Sequence, residues 1–144
     1  MIGFFEHQYL SYKKSHLRNL IALAKSDGHF HADEEVMIYK VGEKYGLKDR
    51  QIASLINEPV TEEWHLPDTH DQKMEQLYDL MQMVYADGVV NDSEILFCEE
   101  IVEKLDFSTK IVPWLLTLFD KGYRPMGEEW TATKVEALSK FVKN

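Results

Sequence analysis

Apolar residues recur along this chain with a period near 3.6 and almost never alternate with polar ones. Leu17, Leu20, Ile21 and Ala24 form an i, i+3, i+4, i+7 stripe that predicts a helix over 15–26, with Ser15 as its N-cap. A weaker pattern over 4–14 sets Phe5, Tyr9 and Tyr12 on one side. Gly28 breaks the period. A new helix is expected from about Asp33 to Gly46, with Val36, Met37, Val41 and Tyr45 inside, and a shorter one over 48–57 on Ile52, Leu55 and Ile56. The stretch 57–68 holds Pro59 and Pro67 without any period and reads as a link.

Thr69-His70-Asp71-Gln72 is a capping box for a helix burying Met74, Leu77, Met81 and Val84. Asn91-Asp92-Ser93-Glu94 is a second, opening a helix that buries Ile95, Cys98, Val102 and Leu105. From about Ser108 a helix carries Trp114, Leu115, Leu118 and Phe119 to Gly122. Pro113 predicts that it starts late or bends. After a loop over 123–129, Thr133 is expected to cap a last helix with Val135, Leu138 and Val142 inside. The class is all-α, a single-domain bundle of about seven or eight helices.

The chain also repeats itself. Aligning 20–47 with 80–107 gives identities at Leu20/Leu80, Asp27/Asp87, Gly28/Gly88, Glu34/Glu94, Glu43/Glu103 and Lys44/Lys104. Both copies read Asp-Gly-x-apolar-x-x-x-Glu between helical runs. The expected architecture is two pseudo-symmetric helix–loop–helix repeats, at about 17–57 and 69–107, followed by C-terminal helices at about 108–144.

The repeated motif matches the back half of an EF-hand loop, with an acid at position 5, Gly at 6 and Glu at 12. Calcium also needs oxygen ligands at positions 1 and 3. Those positions hold Leu23 and Lys25 in one copy, Met83 and Tyr85 in the other, so the standard EF-hand is excluded. A divalent cation would need both loops together, pooling Asp27, Glu34, Asp87 and Glu94, with Asp33, Asp92 and water filling gaps. Helix capping accounts for Gly28, Gly88, Glu34 and Glu94 without any ion. It does not account for Asp27 and Asp87, which stand at the C-terminal ends of helices, where the dipole disfavours negative charge.

This pair of motifs in a small acidic helical chain resembles the tellurite-resistance TerB-like family. Tyr85-Ala86-Asp87-Gly88-Val89-Val90 is the closer match and Lys25-Ser26-Asp27-Gly28 the looser one. The resemblance covers roughly 17–105. It implies a helical bundle with a shared acidic surface, association with metal ions, and a link to cytoplasmic stress responses, without a defined catalytic activity. By position it carries a metal role to Asp27 and Glu34 in one copy and Asp87 and Glu94 in the other. His31 stands where the second copy has Asn91, a departure from the usual polar N-cap.

Composition narrows the partners. A formal charge of -9 over 144 residues argues against nucleic acid or an anionic membrane surface, which call for clustered Lys and Arg. Cations or a basic protein surface fit better. The single cysteine, Cys98, has no internal disulfide partner, and Glu6 and His7 interrupt what would be a signal-peptide core, so a soluble cytoplasmic protein is expected.

Other chemistry is thinner. His29 and His31 with Asp33 form a possible transition-metal set that the second copy lacks, and an exposed loop pair is the plainer reading. His65-Leu66-Pro67-Asp68-Thr69-His70-Asp71 has a metallo-hydrolase flavour, without a further His-bearing helix to complete it. Cys98 and the Met74, Met81, Met83 series read as core. Trp64, Trp114 and Trp130 are each candidates for a contact patch.

Three functions follow. The first is a non-enzymatic module whose acidic loops bind a divalent cation or a basic protein partner. The second is a purely structural interaction domain with the acids as caps. The third is a metal-dependent enzyme using the carboxylate cluster. No organic cofactor is expected.

Overall fold

The computed structural model describes residues 4–26, 28, 30–58, 66–86, 88 and 90–143, with residues 4–11 described through their helical backbone. Seven α-helices follow one another among these residues: α1 (Phe4–Ala24), α2 (Ala32–Lys44), α3 (Asp49–Asn57), α4 (His70–Val84), α5 (Asp92–Lys104), α6 (Ile111–Leu118) and α7 (Glu128–Lys140). A single 3-10 turn, Asp120–Gly122, precedes α7. The only strand-like feature among the described residues is an isolated bridge between Phe107 and Val142. The protein is an all-α helical bundle.

Two helices carry the interior. The helix α4 packs against α1, α2, α5 and α7, and α1 packs against α2, α3, α4 and α5. Met74, Leu77, Leu80, Met81, Met83 and Val84 are all fully buried, so α4 turns a broad apolar face to the interior. Its start is fixed as expected. Thr69 Oγ1 accepts the Gln72 N–H at 3.1 Å, and Gln72 Oε1 accepts the Thr69 N–H at 3.4 Å.

Three expectations are corrected. The breaks predicted around Ser15 do not occur, because α1 runs unbroken from Phe4 to Ala24 with Ser15 buried inside it. No Gly or Pro interrupts that span, and Ser is only mildly unfavourable within a helix. In α2 the inner face is Glu34, Ile38, Val41 and Gly42, while Val36 is 54% exposed and Met37 half-buried. Gly42 explains the rotation. A Cβ there would sit 2.5 Å from Ile52 Cδ1, so the bare glycine lets α3 press against α2 on that side.

In α7 the helix starts at Glu128, five residues before Thr133, whose Oγ1 instead donates to the Glu129 carbonyl at 2.8 Å. Its inner face is Trp130, Thr133 and Ala137. Val135 and Leu138 lie outside, 64% and 54% exposed.

Elsewhere the pattern holds. The helix α6 starts late, at Ile111, which leaves Pro113 in the first turn, where its missing N–H breaks no helical bond. Cys98 and the methionines 74, 81 and 83 are core residues. Of the tryptophans, Trp130 is buried and Trp114 packs on Phe141, whereas Trp64 lies outside the described residues. The link over 59–65 lies outside them as well.

Candidate functional site

The described residues of the two connections share several backbone features at an offset of 60. Gly28 and Gly88 both take positive φ, +86° and +79°. The Gly28 N–H donates to the Lys25 carbonyl at 3.0 Å, and the Gly88 N–H to the Tyr85 carbonyl at 3.1 Å. Each following helix is thirteen residues long, with an extended N-cap residue, His31 in one and Asn91 in the other.

The glutamates of the motif are buried. Glu34 retains 2% of its surface and Glu94 retains 3%. Glu34 Oε1 accepts the His31 N–H at 3.0 Å, and Glu94 Oε1 accepts the Asn91 N–H at 3.3 Å. In the second copy the box closes reciprocally, since Asn91 Oδ1 accepts from the Glu94 N–H at 3.0 Å and from Ser93 Oγ at 2.6 Å. Both glutamates therefore act as helix caps, each with a charge held near the positive end of its helix.

Asp27 and Asp87 lie outside the described residues, as do His29 and Val89. Among the described residues no group of three His, Cys, Asp or Glu side chains is arranged to hold a metal ion. His31 and Asp33 are exposed. His65 is outside the described residues, and His70 Nε2 donates to the Lys134 carbonyl at 2.8 Å, which ties it to α7. Cys98 is free, and burial, with the charges of Glu94 and Glu99, pushes its thiol up to about 12.

Beside these connections lies a cleft of 320 Å³. One wall is α2, with Asp33, Val36 and Lys40. A second is the end of α4, with Met81 and Tyr85 and, just beyond the helix, Ala86. The third comes from the segment after α6, with Phe119, Tyr123 and Arg124. Asp33 belongs to the first acidic connection and Ala86 immediately precedes Asp87 of the second, so parts of both connections border one opening.

A second polar centre was not foreseen from sequence. Asp79 of α4 is fully buried, and three side chains converge on it. His16 Nε2 donates to Oδ2 at 2.9 Å, Tyr45 OH donates to Oδ2 at 3.2 Å, and Lys44 Nζ donates to Oδ1 at 2.7 Å. Burial pushes the Asp79 carboxyl up. The hydrogen bond and charge of His16, with the charge of Lys44, outweigh burial and hold it below the usual carboxylate range. The Tyr45 hydroxyl is pushed well above its ordinary value by burial and by Asp79. Lys13 Nζ adds a bond to the Tyr45 carbonyl at 2.9 Å. This node clamps α1, the end of α2 and α4 together. The sequence carries no signal for it, because Asp79 shares an arc of α4 with the polar residues Gln72, Glu75 and Gln82.

None of the described helices is long and apolar enough to cross a membrane. Comparison of the chain with protein-family models, curated proteins and solved structures gives no significant match.

Proposed function

We propose that this chain is a non-enzymatic helical module of the TerB-like kind, in which Asp27, Glu34, Asp87 and Glu94 together take up a divalent cation. In this reading the two helix–loop–helix units are related by a pseudo-twofold axis, and the role is one in a cytoplasmic stress response, as the resemblance implies. The observation that carries it is the shared cleft, bordered by Asp33 from one acidic connection and Ala86 from the other.

Burial adds support. Glu34 and Glu94 keep only 2% and 3% of their surface, and a carboxylate so far from water is costly unless bonded, paired or coordinated. Each accepts a cap N–H on one oxygen, which holds the carboxylate at its connection.

A basic protein surface is the second reading. It is favoured by the net charge of -9 and by the acids in the first turns of α2 and α5, of which Asp33, Glu35 and Asp92 face solvent.

The test is a calorimetric and NMR titration with Ca²⁺, Mg²⁺, Mn²⁺ and Zn²⁺ on three proteins: wild type, Glu34→Gln/Glu94→Gln and Asp27→Asn/Asp87→Asn. Gln keeps the capping bond while removing the charge, so the first variant stays folded. Saturable binding by wild type and its loss in both variants is the expected result. Absence of saturable binding to wild type sinks the cation reading, and undiminished binding by both variants moves the site elsewhere.

A further inference from the structure

The 320 Å³ cleft is polarised along its length, and its orientation can be read from the node. Lys44 and Tyr45, at the C-terminal end of α2, both bond Asp79, whereas Asp33 near the start of α2 shares the cleft with Ala86, beyond the end of α4. The two helices therefore run antiparallel along the cleft. Lys40 lies seven residues from Asp33, about 10 Å along the axis, towards the Asp79 end. Arg124 belongs to the same end. The Phe119 ring, on the wall that carries Arg124, packs on Tyr78, one residue before Asp79, with centroids 5.0 Å apart, and the Arg124 charge opposes the rise that burial causes in the Tyr78 pKa.

The two cations are uncommitted. Lys40 and Arg124 are exposed, and among the described residues neither makes an ion pair or a side-chain hydrogen bond. In a chain of net charge -9, two unpaired cations at one end of one cleft form a local reversal of the field. Between them and Asp33 the lining is mixed, with Gln82 adding a polar side chain beside Val36, Met37 and Tyr85. Met81 and Phe119 are buried beneath it, while Val36 and Tyr123 keep 54% and 55% of their surface, open to the cleft side and not packed into the core. The hydroxyl groups along the wall are already engaged, Tyr85 OH donating to the Leu116 carbonyl at 2.7 Å and Tyr123 OH to Glu129 Oε2 at 2.8 Å.

We propose that this cleft binds a small amphipathic monocarboxylate, its carboxylate between Lys40 and Arg124 and its apolar body along Val36, Met37 and Tyr85. The volume sits at the small end of the roughly 300–1,000 Å³ usual for ligand pockets, which suits a short acyl or aryl acid. Asp33 at the far end disfavours a second carboxylate. The inference does not depend on the cation reading.

The test is an NMR titration of the full chain in EDTA-containing buffer, so that metal uptake plays no part, with sodium octanoate, 1-octanol and inorganic phosphate as probes. Octanoate is expected to give saturable shifts at the amides of Val36, Met37, Lys40, Tyr85 and Tyr123. Octanol should bind about tenfold more weakly or less, and phosphate should not saturate. Lys40→Met/Arg124→Met keeps both apolar stems at exposed positions and should weaken octanoate about tenfold or more. Val36→Glu, also exposed, should abolish binding with the fold retained. The proposal is overturned by octanoate that does not saturate, by octanol or phosphate binding as tightly, or by shifts that map elsewhere. Unchanged affinity in the Lys40/Arg124 variant, or an acidic peptide that binds where octanoate does not, overturns it equally.

Discussion

His16 and Asp79, sixty-three positions apart in the chain, meet inside the bundle with Nε2 2.9 Å from Oδ2 and both side chains buried. The bond ties α1 to α4, the two helices that make the most of the interior. With Lys44 on the other carboxylate oxygen, Asp79 is a buried charge whose oxygens are all used. Such a node is costly to break from one side only. Asp79→Ala leaves His16 and Tyr45 without their acceptor and is expected to cost about 3–5 kcal/mol, read by urea unfolding. His16→Leu/Asp79→Leu removes both ends of the buried bond and should cost less than Asp79→Ala alone. A double variant as unstable as the single one would show that the pair stabilises well beyond an apolar replacement.

The same node sets an acid limit. The Asp79 carboxyl is held below its usual range in the folded chain, so it binds a proton less readily there than in the unfolded chain. Its contribution is complete above the unfolded value of about 3.9 and is lost as pH falls through the lower folded value. Melting curves from pH 6 downwards should show wild type losing stability below about pH 4 more steeply than Asp79→Asn. Parallel curves for the two proteins would remove Asp79 from the acid transition.

The helices α2 and α5 end in the same turn built from different residues. The Leu47 N–H reaches the Gly42 carbonyl and the Gly46 N–H the Glu43 carbonyl, both at 2.9 Å. Phe107 and Asp106 repeat this to Val102 and Glu103 at 2.9 and 3.0 Å. This is a Schellman closure, which needs a left-handed residue after the C-cap. Gly46 meets the need with φ of +84°, but Asp106 takes +67° at the cost that any side chain incurs there. Asp106→Gly should therefore stabilise the chain by about 0.5–1 kcal/mol, and Gly46→Ala should destabilise it by about 1 kcal/mol or more. A thermal melt in which Asp106→Gly lowers the midpoint would refute the strain argument.

These turns also show what could be read in advance. Gly28, Gly88, Thr69 with Gln72, and Asn91 with Glu94 announce helix ends through local chemistry alone, and each was legible. Faces were harder. In α2 the apolar residues Val36, Met37, Ile38 and Val41 spread over more than half of the helix surface, and Gly42 chooses the inner side by admitting Ile52. That contact joins residues ten apart and leaves no local signature. The polar node is of the same kind, because Asp79 lies on the polar arc of α4 and its partners come from α1 and the end of α2. The cleft was illegible for a related reason, since its walls come from three separated segments.

Cys98 should be inert while the chain is folded. Its thiol is buried and pushed up to about 12, so almost no thiolate exists near neutral pH. A thiol reagent at pH 8 is expected to modify Cys98 only at the rate of unfolding, and immediately in denaturant. Fast modification of the native protein would mean that α5 opens far more readily than its packing implies.

The last helix offers the plainest check on which face is inside. Trp130 forms a three-ring cluster with Tyr78 and Phe119, its centroid 4.8 and 6.0 Å from theirs, and its Nε1 donates to Glu75 Oε1 at 3.1 Å. Removing it opens a cavity against α4 and frees a polar group, so Trp130→Ala should cost about 3–5 kcal/mol. Val135 and Leu138, by contrast, project from the other side of the same helix, 64% and 54% exposed. Val135→Ser and Leu138→Lys should each change stability by no more than about 0.5 kcal/mol. The sequence pattern alone favours the opposite ranking, because it sets Val135 and Leu138 inside. Urea melts of the three variants decide between the two. Large losses at Val135 and Leu138 with little at Trp130 would mean that α7 is turned by half a rotation about its axis.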